Sequence, residues 1–179
     1  MKYVKAFICS CLSLGALALT HCGFQAHPLA QLPATLQPLY IETPHPYGAL
    51  NKTLQQVFHS LHIPLTTTTS EAAMSLNILS EGFSTGALAE SENSKVKQYW
   101  LNYHLVYHLT NKNHQVVQTP RSIYIKRIYT VNEDQVLGAT GETAFLRQVM
   151  MRDAVYRLLG ELQSFHNEHA SEEKVVHDH

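Results

Sequence analysis

The sequence predicts an α+β fold: a two-layer sandwich with two helices packed on one face of a mixed four-stranded sheet, in the order β-α-β-β-β-α. Three patterns lead to it. Between Ala49 and His62, the residues Leu50, Leu54, Val57, Phe58 and Leu61 recur at helical spacing. Tyr99, Leu101, Tyr103, Leu105, Tyr107 and Leu109 alternate with a second set that includes Asn102, His104 and His108, the period of a strand with one buried face. Finally, Leu146, Met150, Ala154, Leu158 and Leu162 form a broad apolar arc running to about Phe165.

The chain opens with a charged start, Lys2 and Lys5, followed by an apolar run from Ala6 to Leu19. Those 14 residues are too few to cross a bilayer, which takes roughly 20. They fit the hydrophobic core of a secretory signal. Leu19-Thr20-His21-Cys22 resembles a bacterial lipobox, although the position before the cysteine usually holds a smaller residue than His21. The expected organisation is a lipoprotein signal peptide over 1–21, a lipidated N-terminus and spacer over 22–33, an α/β domain over 34–165, and a polar, His-rich, disordered tail over 166–179. Cys9 and Cys11 leave with the signal, so Cys22 is the one cysteine retained and no disulfide is available to the fold. Several acyl chains on one cysteine give stable anchoring, at about 0.8 kcal/mol per buried methylene.

Within the domain, Leu36–Glu42 has β character, and Pro38 makes it an edge strand. Thr43 to Gly48 is a turn cluster, and Pro64 stops the first helix. Thr66–Thr69 is a polar connection, after which Met74, Leu76 and Ile78 alternate as a strand. Gly82–Ser94, small and polar, is expected to be a loop. Asn111-Lys112-Asn113 turns the long strand back through Gln115–Gln118 into Ser122–Thr130, with a bulge at Pro120. Thr140 is the expected N-cap of the last helix, with Glu142 in its first turn.

Loss of Lys2 and Lys5 leaves 11 basic against 14 acidic side chains, which argues against nucleic-acid binding. The basic residues concentrate at Lys95 and Lys97, with Arg121, Lys126 and Arg127 on the next strand. They read either as a solvated strand edge or as a contact for an anionic amphiphile or acidic loops of a partner. Gly82-Phe83-Ser84-Thr85-Gly86 spells the nucleophile-elbow motif, which works only on a strained strand-to-helix turn. Gly48 to Thr53 ends like a phosphate-binding loop, but Asn51 stands where the second glycine is required. Among the histidines, His59 and His62 are three apart near a helix end. His104 and His108 are about 13 Å apart if on a strand, too far to share one metal unaided. No metal site is expected.

Taken in order, several landmarks resemble the LptE family of lipopolysaccharide-assembly lipoproteins. They are Cys22-Gly23-Phe24, Pro46-Tyr47-Gly48-Ala49-Leu50, the alternation from Tyr99 to Leu105, Arg127-Ile128-Tyr129, and Val136-Leu137-Gly138-Ala139 before Glu142. The resemblance spans nearly all of Cys22–Leu162. It implies a non-catalytic, lipid-anchored plug inside the outer-membrane barrel LptD, which aids barrel assembly and helps deliver lipopolysaccharide to the outer leaflet. It implies no cofactor beyond the covalent lipid on Cys22. Lys95 and Lys97 are then the first candidates for contact with lipopolysaccharide or the barrel, with Arg121 and Arg127 behind them. The basic residue of the family just before the second helix falls near Ala139 or Thr140, neither of them charged. Two rival readings are a lipoprotein holding a small ligand between helices and sheet, and a serine hydrolase using Ser84.

Overall fold

A computed structural model describes residues 32–88, 96–132 and 136–176. The signal segment, Cys22, Lys95 and residues 177–179 lie outside the described residues. The alternation around Tyr103 builds β4 (Val96–Asn111), which lies between β3 (Met74–Ala87) and β5 (Val116–Asn132) and is antiparallel to both. β1 (Leu39–Glu42) pairs parallel with β3, and β2 (Leu65–Thr66) pairs parallel with β1. The sheet order is β2-β1-β3-β4-β5, with helices α1 (Ala49–Ser60) and α2 (Val136–Val176) packed against it.

The α+β sandwich is as expected, with one strand more. The fifth strand, β2, is two residues long and carries no readable period, yet it moves β1 off the sheet edge. Leu39 donates its N–H to Pro64 O, and Pro38, which has no N–H, uses its carbonyl to accept from Ala73.

A larger correction concerns β3. The strand runs through Gly82-Phe83-Ser84-Thr85-Gly86, where composition alone predicts a loop. Ile78 faces Tyr107 and Ser80 faces Val106, so Leu79 is a bulged extra residue, and it is 45% exposed. The bulge shifts the alternation by one: Leu76 and Ile78 face the helices before it, Glu81 and Phe83 after it. A period read through that slip disappears, which is why the strand seemed to end. The bulge expected at Pro120 is present, because Tyr107 pairs with Arg121 while Leu109 pairs with Gln118.

One core joins the layers. Leu101, Tyr103, Leu105 and Tyr107 of β4 are fully buried in a cluster with Leu54 and Phe58 of α1 and Met150, Leu158 and Leu162 of α2. Burial of each such side chain is worth about 1.5–3 kcal/mol.

The helix ends follow local chemistry. Asn51 donates to Pro46 O at 2.5 Å and holds the turn into α1, a structural role for the residue that spoils the phosphate-loop pattern. α1 ends before Pro64 in a left-handed cap: His62 has φ 57° and Ile63 N–H bonds to Phe58 O at 2.9 Å. α2 begins at Val136, so Thr140 lies inside it rather than capping it. It also continues past Phe165 to Val176, where helix formers such as Glu168, Ala170 and Glu172 extend an existing nucleus.

Candidate functional site

Strand register decides where the basic candidates go. Lys97 lies opposite Val131, Arg127 opposite Leu101 and Arg121 opposite Tyr107, so all three fall on the helix side of the sheet. They are spread along it: Arg121 and Arg127 are six residues apart on one strand, about 20 Å. Arg127 is already paired, its Nη2 lying 2.7 Å from Asp153 Oδ2 of α2, with both side chains part-exposed. Such a pair is worth about 0–1 kcal/mol. Arg121 is exposed near the buried Tyr107, and its positive charge partly offsets the upward shift of that phenol's pKa.

The structure brings other residues to the Lys97 end of this face. Tyr99 stacks on Tyr129 with ring centroids 5.6 Å apart, and Thr85 Oγ1 lies 3.5 Å from Tyr129 Oη. Phe83 packs on Tyr103 at 4.5 Å, and the guanidinium of Arg147 sits 5.2 Å from the Phe83 ring centroid. Phe145, one turn from the start of the core stretch of α2, is 67% exposed. The result is an aromatic patch with a cation at its rim, able to meet a ligand that is part apolar and part anionic. Sequence reading missed Arg147 because its role depends on which strand α2 crosses. Phe83 escapes a reading of the sequence because small, polar neighbours make its stretch of strand resemble a loop.

Deeper on the same side, two phenols are tied to carboxylates. Tyr103 donates to Glu81 Oε2 at 2.8 Å, and Tyr107 to Glu161 Oε2 at 2.6 Å. Burial first, then the hydrogen bond and charge of the carboxylate, raises both phenols well above the ordinary tyrosine range. Both are structural clamps, one within the sheet and one from sheet to α2.

The rival chemistries find little geometry. Ser84 lies within extended β3, opposite Asn102, and its hydroxyl has no hydrogen-bond partner among the described residues, so the elbow turn that would activate it is missing. The space between helices and sheet is filled by buried side chains. A groove of about 270 Å³ opens instead between the helices, lined by residues including Gln56, Gln148, Arg152 and Tyr156. Among the described residues, no three His, Cys, Asp or Glu side chains gather where they could hold a metal ion.

Comparison with known proteins agrees with this architecture. The family model described as LptE, lipopolysaccharide-assembly, matches residues 36–162. The chain is 24% identical over 161 residues to the LPS-assembly lipoprotein LptE of Photorhabdus laumondii, covering 87% of this chain and 85% of that one. It is likewise 24% identical over 156 residues to the LptE of Yersinia enterocolitica, covering 87% and 74%. In fold it is similar to lipoprotein B from Nitrosomonas europaea, with a TM-score of 0.68 at 20% identity over 78% of this chain and 88% of that one. A minor lipoprotein from Acinetobacter baumannii gives 0.58 at 16% identity over 70% and 90%. The match begins just before β1 and ends within α2, taking in every described strand, all of α1 and the larger part of α2; the chain belongs to the LptE family of lipopolysaccharide-assembly proteins.

Proposed function

We propose that this protein is a lipid-anchored plug and assembly partner of the outer-membrane barrel LptD, helping to place lipopolysaccharide in the outer leaflet. The observation that carries this reading is the family match across the whole sandwich, residues 36–162. The physical properties suit the role. A filled core gives a stiff wedge, and a surface of alternating polar and aromatic residues suits a wet barrel lumen. On this reading Cys22 carries the lipid, the protein is held at the periplasmic side of the outer membrane, and no reaction is catalysed. Lys95 and Lys97 meet lipopolysaccharide phosphate, joined by the aromatic patch around Phe83, Tyr99 and Arg147. Arg121 and Arg127 are secondary contacts, Arg127 only at the expense of its pair with Asp153.

The test is an affinity pull-down from detergent-solubilised outer membranes with a C-terminally tagged full-length chain. A large β-barrel recovered in near-equal amount is the expected result. A lipidated protein recovered alone would sink the assignment. Replacing Cys22 by Ala should release the protein from the membrane, and the intact mass of the wild-type chain should carry the acyl chains.

A further inference from the structure

The Gly82-Phe83-Ser84-Thr85-Gly86 motif has a counterpart on the neighbouring strand. Gly82 lies opposite His104, Ser84 opposite Asn102, and Gly86 opposite Trp100. Two glycines four apart therefore meet two rings four apart, with a hydroxyl–carboxamide pair between them. The rings lie over the glycines. A Cβ built on Gly86 would fall 2.5 Å from Trp100 Cζ2 and 2.8 Å from its Nε1, and one on Gly82 would fall 2.9 Å from His104 Cε1. Any side chain at either position would lift its ring off the sheet.

This surface is the one facing away from the helices, since the other β4 residues fill the core. It continues onto β5, where Ile128 stands opposite Trp100, Lys126 opposite Asn102 and Tyr124 opposite His104. Ile128 and Tyr124 are 59% and 67% exposed. Among the described residues of β3, β4 and β5, this face carries no carboxylate.

The pattern discriminates between ligands. The polar row Ser84–Asn102–Lys126 cuts across the two ring rows, which unsuits the face for an acyl chain. One lysine is too little charge for a nucleic acid, whose backbone needs a positive groove. A sugar has both features the face offers a match for: hydroxyls around its rim and a flat C–H surface, attracted to the negative face of an aromatic ring. The two ring rows are about 13 Å apart, four residues at strand rise, so the platform suits an extended chain of sugars rather than a single one. We propose that this sheet face binds an oligosaccharide, with sugar rings over Trp100 and His104 and hydroxyls bonded by Ser84, Asn102 and Lys126. The inference rests on the function proposed above, and it names the saccharide part of lipopolysaccharide as the ligand of this face.

Trp100 is the chain's single tryptophan, so its fluorescence reports on this face alone. The full-length chain, in a detergent without a sugar headgroup, is titrated with the saccharide obtained by stripping the acyl chains from lipopolysaccharide. A saturable change in Trp100 emission is expected. Asn102→Ala and Lys126→Ala keep the reporter and should each weaken binding about tenfold, the loss of one good hydrogen bond. Trp100→Ala, followed by calorimetry, should abolish the binding heat while circular dichroism stays unchanged. Emission that ignores the saccharide overturns the proposal. So does emission that moves equally with lipid A lacking the outer sugars, or that moves only with the purified barrel. Barrel capture is scored separately on the same variants. Lost saccharide binding with capture intact removes only this inference, whereas failed capture with saccharide binding intact removes the plug assignment.

Discussion

The guanidinium of Arg157 on α2 donates to the main-chain oxygen of Tyr124 on β5 at 3.2 Å, fastening the long helix to the edge of the sheet. A 17-residue edge strand is a template for pairing with another chain. Arg157 occupies one of its acceptors, and Pro120 has no N–H to offer. Arg157→Ala should cost about 1 kcal/mol, since the bond is exposed, and should raise self-association. Denaturant midpoints and light scattering check the two effects separately. A fall in stability with no association would make Arg157 a tether only.

Tyr103 and Tyr107 predict an alkaline limit. Burial, reinforced by Glu81 and Glu161, holds both phenols above their ordinary value in the folded chain. Their stabilisation is therefore complete below about pH 10 and declines above it, because the unfolded chain releases protons that the folded chain keeps. Each tyrosine contributes a slope of about 1.4 kcal/mol per pH unit. Urea midpoints measured between neutral and strongly alkaline pH should show this decline, and Tyr107→Phe should roughly halve it. An unaltered slope in that variant would assign the decline to other groups.

His62 predicts a gain. Its φ of 57° is a conformation that costs any residue with a Cβ, and its side chain is exposed. His62→Gly should stabilise the protein by about 0.5–1 kcal/mol, while His62→Ala should not, because alanine keeps the Cβ. Thermal melts of the two variants decide it; equal shifts would show that the cap is unstrained.

Lys95 and Lys97 give a prediction about ligand. If they meet lipid phosphate, replacing both by Glu should weaken lipopolysaccharide binding about tenfold at low ionic strength and flatten its salt dependence. Binding curves at two salt concentrations are sufficient. No change in either would leave the lysines as a solvated strand end.

Much of this was legible in residue order. The alternation around Tyr103 and the spacing of Leu50 to Leu61 gave the long strand and the first helix, because burial repeats at the period of each element. Pro120 announced its bulge, since a residue without an N–H cannot donate to the ladder and is confined to edges and bulges. The slip at Leu79 was not legible. It adds one residue opposite Val106, and only pairing with β4 reveals it. For that reason half of β3 looked like a loop, and Gly82, Ser84 and Gly86 looked like a catalytic motif gone astray. The candidate site is legible in part: Lys97, Arg121 and Arg127 stand out by charge, but residue order shows neither their separation nor the capture of Arg127 by Asp153.

By itself, the sequence determined the layers, the buried faces and the family, because hydrophobic period and motif order are properties of the chain read one residue after another. Tertiary structure alone decided that β2 covers β1, that Arg147 meets Phe83, and that two glycines of β3 lie beneath Trp100 and His104. Those relationships are set by register between strands and by the line α2 takes across them. Both depend on residues far apart in sequence, and no local period encodes them.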